Sequence, residues 1–404
     1  MNTMNRTFDE ANIVLSEWAR IFLDMMSNIS FGAIKIETPE GVILNYQGAQ
    51  AGEEVRVRIN DWYFCENLFM KGDIGLGESY IEGHWDCNDI NKLIKFGIDN
   101  KKELERVIKG SLFKILFYRF KHLLNRNSKK GSQKNVHAHY DLGNDFYKLW
   151  LDPSMTYSSA LFKINNEELQ SAQENKYENI LQWLNLKAGD HILEIGCGWG
   201  GFMEYAAKKG LKVTGVTISN EQYEFAKTRL LPFNELARVE LKDYRDITGK
   251  YDHIVSIEMF EALGEQYWQK YFKKLNSILR PGGQLIIQSI TINDGDFSSY
   301  RKGSDFIQQY IFPGGMLPSP KVFRTAAQKQ GFDYDTSLEF GQDYATTLKR
   351  WEENFSSVLD KVKALGFDDK FIRTWHFYLK YCQGGFEAGK ISIFQFNLIK
   401  NGQR

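Results

Sequence analysis

Short apolar runs alternate with helical patterns through the second half of the chain. From residue 190 onward, apolar runs of strand length recur, and segments with apolar positions three and four residues apart separate most of them. This alternation is typical of an α/β domain whose mostly parallel sheet is covered by helices on both faces. We predict strands near 190–195, 211–217, 237–242, 251–257, 284–290, 332–339 and 392–398, and helices near 168–184, 200–208, 220–229, 266–278 and 319–330, with two further helices within 344–388.

The first part of the chain has a different pattern. Residues 1–27 have the apolar spacing of a helix, and residues 42–46 and 55–59 alternate apolar and polar positions, which predicts a small sheet. Residues 125–135 contain no apolar side chain, as is typical of a linker. The prior for 404 residues is about two domains. We predict a smaller α+β domain over residues 1–125 and a larger domain over residues 126–404.

Charge is balanced overall but uneven along the chain. Fifty-one basic and 51 acidic residues give a formal net charge of zero, so the whole-molecule field favours no nucleic-acid partner. Residues 101–134, however, contain eleven Lys or Arg and two Glu. Within them, residues 103–124 have helical periodicity with the basic side chains largely on one face. Two interpretations stay open: a helix attracted to anionic lipid, or a packed helix with a solvated basic face.

Four cysteines without disulfide or metal-ligand spacing fit a reducing compartment. The chain shows no apparent signal segment and no apolar run long enough to span a bilayer. His137 and His139 lack a third ligand at suitable spacing, so we expect no metal site. These features predict a cytoplasmic protein.

A glycine-rich turn follows the strand predicted at 190–195. Residues 193–201 are Leu-Glu-Ile-Gly-Cys-Gly-Trp-Gly-Gly, and such a turn between a strand and a helix lets a nucleotide-like ligand approach the backbone. The spacing of Gly196, Gly198 and Gly201 also fits a dinucleotide fingerprint, but the next strand ends without the acidic residue that this site requires. Glu194 is placed to meet the amino group of a sulfonium cofactor. The pattern resembles the first motif of S-adenosylmethionine-dependent methyltransferases.

Further motifs follow in a fixed order. Residues 138–162 form a dense aromatic segment that, with the glycine turn, resembles the cyclopropane fatty acid synthase family of methyltransferases. The resemblance covers about residues 70 to 400 and implies a Rossmann-like class I methyltransferase domain with a seven-stranded sheet. The other matching segments are 77–85, 216–222, 242–246, 256–264, 310–319 and 343–348.

The resemblance also implies a cofactor site. In such a site, Thr217 and Gln222 would offer polar groups to the ribose. Tyr244 would stack on the adenine, and Asp243 would accept a hydrogen bond from its amino group. The residues expected to bind S-adenosylmethionine are Tyr157, Ser158, Glu194, Gly196, Gly198, Gly200, Thr217, Gln222, Asp243 and Tyr244.

At the reaction centre, the chain departs from the family. Members hold a bicarbonate base with a Cys, a Glu, a His and a Tyr; here Glu261 and Tyr344 match, but Ser159 and Gln288 replace the Cys and the His. Members usually have Gly where this chain has Glu258, and His in place of Ala262. Two alternatives stay open. In the first, the neutral Ser159 and Gln288 still bind bicarbonate. In the second, the site does not use bicarbonate and Glu258 is the base.

Glu258 itself has two interpretations. It precedes Glu261 by three residues, which would put both carboxyls on one side of a helical turn. It is equally compatible with an acid at a helix N-terminus, where the helix dipole favours it.

The expected activity is methyl or methylene transfer to the double bond of unsaturated acyl chains of phospholipids, at the inner membrane surface. Alternatives are a C-methyltransferase that gives methyl-branched fatty acids, and methylation of a soluble small-molecule acceptor. A homodimer is a possible assembly.

Overall fold

The computed structural model describes residues 15–101 and 142–401. Within these ranges the chain divides into two compact units, one with residues 15–101 and 368–384 and the other with residues 142–367 and 385–401. The basic helix predicted at 103–124, the linker at 125–135, the domain boundary after residue 125, and His137 and His139 lie outside the described residues.

The first unit is built on a four-stranded sheet within its described residues, in the order β2-β1-β3-β4. Strand β1 (Phe31–Glu37) pairs antiparallel with β2 (Ile43–Gln47) and parallel with β3 (Gln50–Ile59), and β4 (Trp85–Cys87) is antiparallel to β3. Alternate residues of β1 and β3 are buried, as the sequence pattern predicts for a sheet with one covered face. The helices of this stretch are α1 (Glu17–Met26), α2 (Tyr63–Lys71), α3 (Asp73–Ile81) and α4 (Ile90–Asp99).

A segment distant in sequence completes this unit. Residues 368–384, which the predicted boundary placed in the larger domain, pack against α3 and β4. The Arg373 guanidinium lies 3.9 Å from the centre of the Tyr80 ring, and its Nε donates to the Tyr80 carbonyl at 2.6 Å. Periodicity along the chain predicts that these residues are helical, but it does not show which unit they join.

The second unit carries a seven-stranded sheet in the order β10-β11-β9-β8-β5-β6-β7, counted within the described residues. Strands β5 to β9 pair in parallel, and β11 is antiparallel to both β9 and β10. All seven predicted strands are confirmed. Their bounds are β5 His191–Ile195, β6 Lys212–Thr217, β7 Ala237–Leu241, β8 Tyr251–Ile257, β9 Leu279–Ile292, β10 Phe332–Glu339 and β11 Ile391–Lys400.

The five helices predicted between residues 168 and 330 are confirmed, and two short helices, Asn144–Lys148 and Phe297–Tyr300, were not predicted. The region expected to hold two further helices within 344–388 holds three, and the last of these, Asp369–Glu387, belongs mostly to the first unit. The helices are α5 Asn144–Lys148, α6 Leu169–Trp183, α7 Gly201–Lys208, α8 Asn220–Arg229, α9 Trp268–Ile278, α10 Phe297–Tyr300, α11 Pro320–Gln328, α12 Gly341–Ser357, α13 Leu359–Ala364 and α14 Asp369–Glu387.

The apolar side chains of the central strands pack on both faces of the sheet. Leu193 and Ile254 pack into one core cluster with helices α9 and α11, whereas Ile192 and Val255 pack into another with α6 and α7. Neighbouring residues of a strand point to opposite faces, so a strand that is covered on both faces must be apolar throughout. This explains why the sequence shows continuous runs here and alternation in the first unit.

The order of the strands positions the functional site. From β5 the chain proceeds to β6 and β7 on one side, then returns to place β8 on the other side of β5. Such a switch point opens a crevice at the carboxyl ends of the two diverging strands, where ligands bind in open α/β sheets. No helix among the described residues has the length and hydropathy needed to cross a membrane.

Candidate active site

The glycine-rich turn lies at this switch point, between β5 and α7. Gly196, Gly198 and Gly200 all have positive φ, at 80°, 53° and 81°. A Cβ on Gly196 would lie 2.9 Å from the side chain of Met259, whereas a Cβ on Gly198 would meet no atom within 4 Å. The turn therefore combines a backbone conformation that favours glycine with open space beside Gly198, as a closely approaching ligand requires.

Glu194 lies on β5 just before the turn. Its side chain is buried, and Oε2 has no hydrogen-bond partner among the described residues. Burial raises the pKa of Glu194 to about 8, against the opposing effect of the Lys176 ammonium. A buried carboxyl without a full set of partners is suited to a cationic ligand.

The predicted ribose residues lie together at the end of β6. Thr217 Oγ1 donates to Gln222 Oε1 at 2.8 Å, and Ser219 caps helix α8 by accepting from the Gln222 N–H. Both predicted residues are buried. Their mutual hydrogen bond therefore orients both side chains.

The predicted adenine residues are engaged within the protein. Both carboxylate oxygens of Asp243 accept from Arg245, at 2.7 and 2.5 Å. The Tyr244 ring is 8% exposed and packs edge-on against Tyr271, with 5.2 Å between the ring centres. A carboxylate has about four acceptor sites, so a further bond to an adenine amino group is compatible with this pairing. That contact and the stacking of Tyr244 remain predictions.

Tyr157 and Ser158 precede the reaction centre on the loop before α6. The Tyr157 ring packs against Trp351, with 5.2 Å between the ring centres. Ser158 Oγ accepts from the fully buried Lys176 ammonium at 2.6 Å. Burial lowers the pKa of Lys176 to about 7, and the carboxylates of Glu258, Asp152 and Glu194 oppose that shift.

The Glu258 carboxylate lies where the family's bicarbonate ligands were expected to converge. Oε1 accepts from the backbone N–H of Ser159 at 2.8 Å and from Gln288 Nε2 at 2.7 Å, and Oε2 accepts from the Tyr344 hydroxyl at 2.6 Å. The three donors come from a loop, from β9 and from α12. The structure thus brings together four of the five predicted reaction-centre residues around one carboxylate.

The backbone corrects how Glu258 was expected to be placed. Residue 258 has φ 50°, in the left-handed region, and the following turn is a single 3-10 turn over Phe260–Ala262. Glu258 is therefore neither one turn below Glu261 on a helix nor an acid at a helix N-terminus. A non-glycine residue in this conformation is strained, and such strain is concentrated at functional sites.

Glu261, the fifth predicted residue, has a different hydrogen-bond partner. One of its oxygens accepts from the backbone N–H of Ile290 at the end of β9. Burial and the nearby charge of Glu258 raise the pKa of Glu261 to about 8. Burial also raises the pKa of Glu258. The charge of Lys176 and the hydrogen bonds that Glu258 accepts oppose this shift. Ionisation of Glu258 therefore disfavours ionisation of Glu261.

Sequence reasoning missed Lys176, Gln395 and Asn179. Gln395 on β11 donates to Gln288 Oε1 at 2.9 Å, and Asn179 on α6 donates to Gln395 Oε1 at 2.6 Å. A signal for Lys176 was present: it lies four residues from both Ala172 and Ile180, within the apolar stripe of α6. A charged residue in such a stripe indicates a buried partner.

Comparison with known proteins agrees with this geometry. Residues 127–396 match the family described as mycolic acid cyclopropane synthetase. The chain belongs to this family. It is 33% identical to the cyclopropane-fatty-acyl-phospholipid synthase of Escherichia coli over 98% of each chain. It is 36% identical to the tuberculostearic acid methyltransferase UfaA1 of Mycobacterium tuberculosis over 343 residues, which are 82% of this chain and 80% of that one.

A solved member of the mycolic acid cyclopropane synthetase family has the same fold. The cyclopropane synthase CmaA1, complexed with SAH and CTAB, superposes with a TM-score of 0.62 at 32% identity, covering 66% of this chain and 98% of that one. The predicted family, the Rossmann-like fold and the methyltransferase activity are therefore confirmed, and S-adenosylmethionine is the cofactor. The buried Glu194 and the open space at Gly198 fit a ligand that carries an ammonium and a sulfonium charge.

Replacing Gly198 by Val should abolish cofactor binding. The isopropyl group would project into the open space beside the turn, and we expect affinity for S-adenosylmethionine to fall at least about 100-fold, roughly 2.7 kcal/mol. Titration calorimetry measures this loss directly. The matched control is Gly210→Val, because Gly210 also has positive φ, at 77°, with no atom within 4 Å of an added Cβ. Equal affinity in the two variants would exclude the glycine turn as the cofactor site.

Proposed function

We propose that the protein adds a one-carbon unit to the double bond of unsaturated acyl chains of phospholipids, with Glu258 as its built-in base. The proposal concerns the acceptor and the base, since the methyltransferase activity follows from the family. The observation that carries it is the Glu258 carboxylate, which accepts from Ser159, Gln288 and Tyr344 at 2.6–2.8 Å.

The donor set favours an ionised side chain at this position. Three donors converge on two oxygens, and each of these bonds is stronger to a carboxylate than to a neutral acid. The buried Lys176 ammonium adds a favourable charge. A base that is part of the chain also avoids the entropic cost of capturing an anion from solution. These features support the second of the two alternatives that the sequence left open, in which the site does without bicarbonate.

An alkene acceptor explains why a base is needed. The cofactor, when bound, supplies an electrophilic methyl group. If an alkene carbon took up that methyl, with the pair of the carbon–sulfur bond left on the cofactor, the neighbouring carbon would become cationic. Loss of one proton from the new methyl, with its electron pair closing on the cationic carbon, gives a ring. Loss of a proton from a carbon next to the cationic carbon, or from the new methyl after a hydride shift has moved the cation beside it, gives a branched chain that keeps a double bond. In either case Glu258 accepts the proton.

Tyr344 and Glu261, which neighbour Glu258, have different roles. The Tyr344 hydroxyl donates a hydrogen bond to Glu258 and so fixes the orientation of the carboxylate. Glu261, whose pKa is raised to about 8, holds the single proton of the carboxyl pair near neutral pH, and Glu258 is the ionised member. The ionised Glu258 carboxylate adds negative potential where the acceptor becomes cationic, which stabilises the transition state.

Phospholipid acyl chains as the acceptor rest on two supports. The Escherichia coli relative is named for this substrate, and the match to it spans 98% of this chain. The excess of basic residues over 101–134 is also suited to an anionic lipid surface. Peripheral attachment at the inner membrane surface and a homodimer are part of the proposal.

Mass spectrometry of lipids from cells that express the chain tests the acceptor. We expect unsaturated acyl chains of phospholipids to gain one CH2 unit, with fragmentation showing whether it is a ring or a branch. Cells that express the Gly198→Val variant provide the control. Unchanged acyl chains, together with a methylated soluble compound, would overturn the proposal.

A further inference from the structure

A line of side-chain amides leads from the edge of the second unit to Glu258. Asn179 Nδ2 donates to Gln395 Oε1 at 2.6 Å, Gln395 Nε2 donates to Gln288 Oε1 at 2.9 Å, and Gln288 Nε2 donates to Glu258 Oε1 at 2.7 Å. Every bond runs in the same direction. We call these three amides the amide relay.

The fold holds the relay in place. Gln288 and Gln395 are direct partners in the antiparallel pairing of β9 with β11, and both are fully buried. Asn179 comes from the neighbouring helix α6 and is only partly buried. Buried amides far from water must satisfy each other, so the orientation of one fixes the orientation of the next.

The direction of the relay decides which form of Glu258 it favours. An amide presents either N–H groups or a carbonyl oxygen. As oriented here, Gln288 presents its N–H group, which an ionised carboxylate accepts. With all three amides turned over, Gln288 would present its carbonyl oxygen, which only a protonated Glu258 could satisfy.

We propose that Gln395 and Asn179 are positioning residues, which fix the Gln288 amide so that Glu258 is kept ionised and ready to accept a proton. The proposal rests on the assignment of Glu258 as the base. It adds two residues that do not hydrogen-bond to the carboxylate: Gln395 donates to Gln288, and Asn179 donates to Gln395. Their effect is transmitted only through the direction of the hydrogen bonds.

The other groups that face Glu258 set the background for this effect. Lys176 faces it from α6, Tyr344 from α12 and Glu261 from the 3-10 turn. The charge of Lys176, the hydrogen bond from Tyr344 and the carboxyl of Glu261 act on Glu258 whichever way the relay points. Asp152 and Glu194 act on Lys176 in turn. The relay is therefore tested by a change that reverses its direction while leaving all of these groups in place.

Asn179→Asp makes that change, because a carboxylate only accepts hydrogen bonds. Gln395 would then turn to donate to the new carboxylate, and Gln288 would turn to donate to Gln395, so that a carbonyl oxygen would face Glu258. We expect the acid limb of the pH profile of kcat/KM to move up by about one unit, with about a tenfold loss on that limb. Asn179→Leu removes the first donor of the relay without reversing the direction of the other hydrogen bonds. It should move the acid limb by a smaller amount.

Two comparisons make the result decisive. Gln182→Glu adds the same charge at an exposed position of the same helix, outside the relay, and should leave the profile unchanged. Carbon-13 NMR of protein labelled at the glutamate carboxyls, with the Glu258 signal identified by its absence in Glu258→Gln, follows the same titration without turnover. Should Asn179→Asp fail to fold, Gln395→Met, which keeps the volume and removes both polar atoms, takes its place.

Failure of this inference is distinct from failure of the proposed function. A profile that is unchanged in Asn179→Asp, or that moves equally in Gln182→Glu, would overturn the role of the relay while leaving Glu258 as the base. Full activity of Glu258→Gln would instead show that Glu258 is not the base.

Discussion

Glu258→Gln should reduce turnover by about 10³-fold or more, in the upper range of what a general base contributes. The substitution keeps the shape of the side chain and removes its charge and basicity. The fold should tolerate it, because the new amide oxygen can accept from Ser159 and Gln288, and the Tyr344 hydroxyl can turn to accept from the new N–H group. We therefore expect unchanged melting temperature and unchanged affinity for S-adenosylmethionine, with the loss confined to kcat.

The pH profile of the wild-type protein gives an independent check. Burial raises the pKa of Glu258 above its ordinary value of 4.5. A base works only when unprotonated, so kcat/KM should fall as the pH decreases through this raised pKa. The fall should therefore begin at a higher pH than for an exposed glutamate. In Glu258→Gln, this limb should be absent from the residual rate.

The matched control for this variant is Glu265→Gln, which removes a carboxylate from the same loop after β8. Glu265 pairs with Arg301 at the surface, so its loss should leave turnover unchanged. Depleting bicarbonate should likewise leave the wild-type rate unchanged. A strong bicarbonate requirement combined with a fully active Glu258→Gln would show that the site still uses bicarbonate.

The fold could be predicted from the pattern of the sequence, because its parallel strands are buried on both faces. Continuous apolar runs such as the one in β5 are typical of such strands when strands and helices alternate along the chain. The packing of residues 368–384 with the first unit could not be predicted in this way. It depends on contacts such as that between Arg373 and Tyr80, which are nearly 300 positions apart.

The candidate site was predictable as a set of residues but not as a geometry. The motifs identified Ser159, Glu258, Gln288 and Tyr344, and the departure from the family at Glu258 suggested a new base. Local spacing suggested a helical turn for Glu258, whereas tertiary hydrogen bonds hold it at φ 50°. Bonds that span 86 to 99 positions have no periodic signature in the sequence.

Glu258→Gly should convert the protein into an enzyme that depends on an added anion. Glycine adopts φ 50° without strain, so the backbone should keep its course. The Ser159 N–H, Gln288 Nε2 and Tyr344 hydroxyl would then face the space that the carboxylate had filled. Without bicarbonate, we expect a loss of about 10³-fold, as for the loss of a general base. Millimolar bicarbonate should restore activity at least about tenfold and in a saturable way, since a captured anion lacks the advantage of a tethered one.

Rescue by an anion that binds in place of Glu258 has a distinctive set of controls. Glu258→Gln should not respond to bicarbonate, because its amide still fills the space between the three donors. Nitrate has the planar shape of bicarbonate but almost no basicity, so it should occupy the space and inhibit the rescue. Glu258→Gly combined with Tyr344→Phe should need more bicarbonate, since one donor is lost. If Glu258→Gly binds S-adenosylmethionine normally and is fully active without bicarbonate, then Glu258 is not the base; if bicarbonate rescues Glu258→Gln equally well, the anion acts elsewhere.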